Sequence, residues 1–372
     1  MLFTEHIKYN LLTRETMAKK EFKRIAVLTS GGDAPGMNAA VRSVVRTALN
    51  NGIEVMGVYG GYRGLVENDM KLLCAKDVCN ILNKGGTMLY TDRCLEFKEE
   101  EGMQKAIATC KENGIDGIVA IGGDGTFRGG QDLCRRGIPC ICIPGTIDND
   151  VSATDYTIGY DTAMNTVVEM VDRLRDTCES HARCNVVEVM GRNAGYIALN
   201  TGLATGAVGV IVEEFPYDIE ATVKKMKASK QEKKRNFIVI VSEAFGNEFS
   251  ENIAVEIEKR TGVETKFCRL AHVQRGGNPT LRDRVLAAQM GNAAVDLLLE
   301  GVSNRVVCIK NEAICSLDIE YALTLDKLCK GKIKVEDIKG FSKEDVDRMV
   351  EESKLRETRM RSIYDIANRI SI

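Results

Sequence analysis

The sequence contains no apolar stretch long enough to span a bilayer as a helix. Paired C-x-x-C spacing is also missing. The 13 cysteines are odd in number and scattered, which argues against a disulfide framework or a zinc site and for reduced thiols in a cytosol. Histidine is scarce: His6, His181 and His272 are too few for a histidine-rich metal centre. Neither sign of charge dominates, and a net charge of −2 leaves no electrostatic footprint for nucleic acid or an acidic membrane surface. Five prolines stand against 34 glycines, a ratio that suits many strand-to-helix turns and phosphate binding. With 372 residues, 44% apolar and 28% charged, the chain reads as a two-domain globular protein with a large core and, by composition, as a small-molecule enzyme.

The first residues, 1–23, mix charges with a short Tyr9–Leu12 apolar patch and lack the core and cleavage site of a signal peptide. Their acidic members Glu5, Glu15 and Glu21 weigh against an amphipathic targeting segment. Met17 lies just before a lysine pair and the first strand, so it is expected to be the natural start; a native N-terminal peptide containing Leu11 would exclude this.

What is present is a series of short apolar runs, each ending in glycines and polar residues. Arg24–Thr29 leads into Ser30-Gly-Gly-Asp-Ala-Pro-Gly-Met-Asn38, Gly117–Ile121 into Gly-Gly-Asp-Gly-Thr at 122–126, and Ile138–Ile143 into Pro-Gly-Thr-Ile-Asp-Asn-Asp at 144–150. Buried parallel strands read this way, and a doubly wound sheet binds its ligands beyond the carboxyl ends of such strands. Glycines let backbone N–H groups approach a polyphosphate, while the carboxylates can hold Mg²⁺ or accept a proton. Taken singly, each motif also fits a tight βα turn with an aspartate N-cap. The pattern continues with strands at Glu54–Tyr59, Cys184–Met190, Val208–Val212, Phe237–Ser242, around Gly262–Ala271 and at Arg305–Lys310. Helical spacing covers Gln104–Asn113, Tyr160–Cys178, Glu251–Arg260 and Leu281–Leu299. Strand and helix alternate, so the fold class is α/β, with mostly parallel sheets. The last forty residues differ: Ser342–Asp345 resembles a capping box, and the charge-dense Glu351–Arg361 reads as a solvated helix on the surface or against another subunit, without chemistry.

Together with Met190-Gly-Arg192 and His272-Val-Gln-Arg-Gly-Gly277, these motifs make residues 23–330 resemble the 6-phosphofructokinases, in the family's order. The resemblance implies two Rossmann-like three-layer domains, the larger from 21–159 with 274–325 for the nucleotide and the smaller from 160–273 for the sugar phosphate. Residues 326–372 would form a C-terminal helical extension and 1–20 an N-terminal one. It also implies transfer of the γ-phosphoryl of ATP to the 1-hydroxyl of fructose 6-phosphate, with Mg²⁺, in a cytoplasmic homotetramer.

By that resemblance Asp148 is the general base, Asp124 holds Mg²⁺ with Asp150 a further contact, and Thr146 orients the transferring group. The Gly31 N–H, Arg93 and Arg192 neutralise phosphates, and Tyr62, Cys94, Gly125, Thr126 and Gly129 complete the ATP site. Arg183, Lys266, His272 and Arg275 surround the 6-phosphate, with Arg183 and Lys266 reaching in from a neighbouring subunit. Glu243 holds sugar hydroxyls beside Met190, Gly191 and Arg192. Lys266 departs from the usual arginine, which keeps the charge, loses the bidentate fork and implies weaker sugar-phosphate binding.

Pyrophosphate-dependent relatives carry Asp in place of Gly125 and Lys in place of Gly145, so two glycines here favour ATP. Arg42, Arg46 and Arg175 match an anionic effector site, or are ordinary surface arginines. Asp69 and Val208 depart from that site's pattern, and weak or absent phosphoenolpyruvate inhibition is expected. An NAD kinase would leave 144–150 and 272–277 without purpose. A non-catalytic sugar-phosphate-binding subunit is disfavoured because Asp124, Asp148 and Asp150 are all present.

Overall fold

The computed structural model describes residues 22–246 and 248–371; the expected extension 1–20, and with it the start at Met17, lies outside the described residues. In chain order the elements are β1 (Arg24–Ser30), α1 (Met37–Asn50), β2 (Glu54–Val58), α2 (Tyr62–Glu67), β3 (Met70–Leu73), α3 (Glu100–Glu112), β4 (Gly117–Gly122), α4 (Asp124–Arg135) and β5 (Cys140–Pro144). Next come α5 (Tyr160–His181), β6 (Cys184–Val189), α6 (Tyr196–Ala204), β7 (Gly209–Ile211), α7 (Ile219–Gln231), β8 (Phe237–Ser242), α8 (Phe249–Thr261) and β9 (Thr265–Arg269). The chain then runs through α9 (Leu281–Leu299), β10 (Arg305–Lys310), β11 (Ala313–Asp318), α10 (Ile319–Cys329) and α11 (Lys343–Ile370).

Two sheets result. The larger has the order β11-β10-β5-β4-β1-β2-β3 and the smaller β7-β8-β6-β9. All pairings are parallel except those of the edge strands β3 and β11, which are antiparallel. The all-apolar runs of β4 and β5 are buried along their whole length, as strands covered by helices on both faces must be. Helix α1 turns Ala40, Val41, Val44, Val45 and Ala48 inward. Each fully buried Val is worth roughly 1.5–3 kcal/mol of transfer free energy. One apolar cluster continues from α1 and α9 through Ile143 of β5 into Val167 of α5 and Val187 of β6, so a single core joins the two sheets.

Several elements depart from the sequence reading. The strand expected around 262–271 is confined to Thr265–Arg269, because Gly262 sits at φ 63° as the cap of α8 and Ala271 begins a short 3₁₀ turn. Elements α2, β3, β11 and α10 were not expected. The tail starts where the capping pattern indicates, with Ser342 accepting from the Asp345 N–H at 3.1 Å. It then forms one long helix packed on α6, and its inner face is far from purely solvated.

Candidate active site

The strand order reverses at β1: β2 lies on one side of it and β4 on the other, which makes a switch point where ligands can enter beyond the strand ends. Register pairs Ser30 with Gly122 and Gly122 with Pro144, so β1, β4 and β5 end side by side and their glycine-rich loops adjoin. Gly122 allows this approach, since a Cβ there would lie 2.3 Å from both the Ser30 carbonyl oxygen and Thr126 Oγ1. Thr126 Oγ1 donates to Ser30 O (3.0 Å), and Thr91 Oγ1 donates to Gly31 O (2.7 Å), which ties the 91–94 loop to the first turn. Asp124 opens α4, where the helix dipole favours negative charge. Its carboxylate accepts from the Gly125 N–H (2.8 Å) and from Arg128 (2.9 Å).

The loop after β5 carries Thr146, Asp148 and Asp150. Asn149 holds its shape from a left-handed conformation (φ 51°), donating to Asp155 O and accepting from the Thr157 N–H. The Thr146 hydroxyl lies 3.2 Å from the Asp148 N–H and 3.3 Å from Asp148 Oδ2. Asp148 is only 3% exposed, and its Oδ1 is buried without a hydrogen-bond partner among the described residues. Burial, reinforced by the neighbouring Asp150 charge, pushes the Asp148 carboxyl up to about 6 against the pull of Arg275 and Arg192. A buried, underbonded carboxylate with that poise suits a base that takes a proton from a bound hydroxyl.

The smaller sheet supplies the opposite wall. Val189 at the end of β6 pairs with Ser242 at the end of β8, so Met190–Arg192 lies beside Glu243. Glu243 Oε1 accepts from the N–H groups of Gly191 (3.2 Å) and Arg192 (2.9 Å), and Gln274 Oε1 accepts from Met190 N–H (3.3 Å). Arg192, at φ 56°, projects across the cleft: its guanidinium nitrogens lie 3.9 Å from Asp124, 3.9 Å from Asp148 and 3.7 Å from Asp150. Arg275 reaches the other side of the same cleft and donates to Asp33 O at 3.2 Å. Among the described residues no three His, Cys, Asp or Glu side chains form a self-sufficient metal cage. Asp124 and Asp150 instead face one cationic position, an oxygen donor pair that fits Mg²⁺ when phosphate oxygens complete its shell.

The structure therefore brings Gly31, Asp124, Thr146, Asp148, Asp150, Arg192, Glu243 and Arg275 around one cleft. The other expected residues have different surroundings. Tyr62 is buried, stacked on Phe97 at 4.2 Å, and donates to Thr126 O at 2.6 Å; its ring lies 2.5 Å from where a Cβ of Gly129 would be. Both residues pack behind the 122–126 loop. Arg93 and His272 are exposed. Arg183 and Lys266 share Glu264 at 2.7 and 2.9 Å near the edge strand β9, and their two cations hold the Glu264 carboxyl down to about 2. Arg175 is bound to Asn236 and Thr205 O, whereas Arg46 binds Ala75 O. Arg42 and Arg46 each have a buried Nε without a hydrogen-bond partner among the described residues.

The sequence reading missed Lys330, whose ammonium lies 3.2 Å from Asp150 Oδ2 and 2.8 Å from Asp326. It also missed Arg356, bound to Thr154 O (2.6 Å), Val151 O (3.4 Å) and Tyr196 Oη (3.0 Å).

Two parallel α/β units that face each other across a cleft of carboxylates and arginines define a class of α/β proteins that bind their ligands beyond the strand ends. Residues 24–298 match the family described as Phosphofructokinase, and the chain belongs to that family. It is 48% identical over 316 residues to an ATP-dependent 6-phosphofructokinase of Halothermothrix orenii, covering 82% of this chain and 95% of that one. It is 50% identical over 299 residues to the ATP-dependent 6-phosphofructokinase of Bacillus subtilis, covering 80% and 92%. Among solved structures, the phosphofructokinase of Saccharomyces cerevisiae superposes with a TM-score of 0.81 at 32% identity over 92% of this chain. This chain spans 49% of that yeast chain.

Proposed function

We propose that the protein is an ATP-dependent 6-phosphofructokinase, transferring the γ-phosphoryl group of ATP to the 1-hydroxyl of fructose 6-phosphate and releasing ADP and fructose 1,6-bisphosphate. The carrying observation is Arg192, which extends from the smaller sheet to within 3.9 Å of all three carboxylates of the larger one. Cation and base thus meet where a phosphoryl group would pass between two substrates. Asp148 accepts the hydroxyl proton, a role typically worth ~10²–10⁴ in rate. Thr146 orients the group in transfer, and Arg192 with the Gly31 N–H offsets its charge. Asp124 and Asp150 would hold Mg²⁺, which when bound neutralises the phosphate oxygens and aligns them. Glu243, now holding the 190–192 segment, serves the sugar hydroxyls, and Arg275 with His272 the 6-phosphate.

Gly125 supports ATP as donor, because a Cβ there would meet nothing within 4 Å and the space is left to a nucleotide. Arg183 and Lys266, paired with Glu264 near the edge of β9, fit contribution to a neighbouring subunit's sugar site in a homotetramer. No described helix is long and apolar enough to cross a membrane. The proposed reaction on ATP and a sugar phosphate is the ground on which we place the enzyme in the cytoplasm. The test is initial rate with fructose 6-phosphate and either Mg-ATP or Mg-pyrophosphate. Turnover with ATP alone is expected. Turnover with pyrophosphate would overturn the donor assignment, and none with either would overturn the enzymatic reading.

A further inference from the structure

Asp150 faces two cations that differ in kind. Arg192 approaches from across the cleft at 3.7 Å and its side chain is 55% exposed. Lys330 approaches from behind at 3.2 Å and is only 19% exposed. Lys330 is itself fixed: Asp326 binds it through Oδ2 at 2.8 Å. The other oxygen of Asp326 accepts from Ser152 N–H (3.2 Å) and Ser152 Oγ (3.0 Å) in the same loop. Arg356 and Arg359 of α11 hold the next residues, through Thr154 O at 2.6 Å and the Asp155 carboxylate at 3.1 Å. The 150–155 loop is therefore held from behind by the end of α10 and by α11, together with Ile309 of β10, which accepts from the Asp155 N–H and donates its own N–H to Thr154 Oγ1.

On the functional reading above, we propose that Lys330 is a positioning residue of the phosphoryl-transfer site. It holds Asp150 by Oδ2 as a permanent counter-charge, so that the exposed Arg192 can leave Asp150 for the phosphoryl group without leaving that carboxylate unpaired. The C-terminal segment 326–371 is then part of the active site. Two physical consequences follow. Loss of the hold misplaces a carboxylate that must face the substrate phosphates, and small misplacements cost rate more than affinity. Loss of the charge removes a competitor for Asp150 Oδ2, which makes the empty site more attractive to a free divalent cation.

Lys330→Met removes the charge at similar size, and Lys330→Arg keeps it. Turnover at saturating substrates is expected to fall about tenfold to a hundredfold in K330M, with KM for fructose 6-phosphate changed by less than about threefold. Mn²⁺ added alone to the full-length enzyme, followed by the electron paramagnetic resonance of the free ion, is expected to bind about threefold tighter or more. K330R is expected to stay close to the unsubstituted protein in both. General loosening of the fold would weaken turnover and Mn²⁺ binding together, so lower turnover with tighter cation binding separates positioning from damage. Unchanged turnover, unchanged or weaker Mn²⁺ binding in K330M, or equal injury in K330R each overturns the assignment while leaving the kinase reading intact. If the unsubstituted protein shows no turnover, the kinase reading fails, and the Mn²⁺ comparison alone judges the hold on Asp150. Lys330→Gln, read the same way, substitutes if K330M does not fold.

Discussion

The acid limb of the pH–rate profile is the most direct consequence of the Asp148 environment. Burial and the Asp150 charge raise its carboxyl from 3.8 to about 6, a penalty of about 3 kcal/mol on ionising it in place. A general base must be ionised, so kcat/KM falls as pH drops through that value. Going from pH 7 to pH 5, the ionised fraction falls from about nine-tenths to about one-tenth, and kcat/KM should fall about tenfold. Fructose 6-phosphate has its own phosphate ionisation near 6, so the unsubstituted limb alone does not assign the group. The variants do. Asp150→Asn removes a charge that raises the Asp148 value and should move the limb to lower pH. Arg192→Met removes a charge that lowers it and should move the limb to higher pH. Substrate ionisation is common to all three proteins and cancels in the comparison. Asp148→Asn should lose ~10²–10⁴ in kcat and retain only the limb due to substrate. Coincident limbs in all proteins, or an Asp148→Asn variant of near-full activity, would refute the assignment of Asp148 as base.

Four further outcomes test other parts of the account. Gly125→Asp places a carboxylate in open space, so the protein should fold with unchanged melting temperature, yet lose about tenfold or more in kcat/KM for ATP and gain in its relative use of pyrophosphate. Lys266→Arg restores a fork for phosphate and should lower KM for fructose 6-phosphate about fivefold at constant kcat, provided the enzyme is assayed as its oligomer. Asp283 accepts from the N–H groups of Gly159 and Thr162 and from the Thr162 hydroxyl, and burial raises its carboxyl to about 6. Its folded value lies above the unfolded one, so its contribution is complete below about pH 4 and shrinks by up to about 3 kcal/mol as pH rises through 6; Asp283→Asn should narrow its stability deficit over that range in urea titrations. Arg356→Met should cost about 1–3 kcal/mol and speed amide exchange in the 150–155 loop, whose carbonyls it binds.

Legibility in the sequence follows how local each cause is. Strands β1, β4 and β5 were readable because their apolar runs stop abruptly at glycine and aspartate, and the turns that end them also border the cleft. The limits of α9 and β10 were read to the residue, since both lie between clear caps and turns. Strand β3 was missed because its Lys71 and Leu72 are exposed, and β11 because it is half-buried along most of its length; each is an edge strand with a diluted pattern. Tyr62 is expected among the ATP-site residues, and its packing against Gly129 and Phe97 is a tertiary contact that the neighbouring sequence does not show. Lys330 lies at the opposite extreme. It stands 180 residues from Asp150, in a stretch whose density of lysines reads as solvent-facing. Nothing nearby distinguishes it from Lys332 or Lys334. Its distinction is burial between two aspartates, a property of the folded contact and not of the neighbouring sequence. A charged tail therefore reads as solvated until its partners are known, and the residues to search in such a tail are those whose counter-charges already belong to the site.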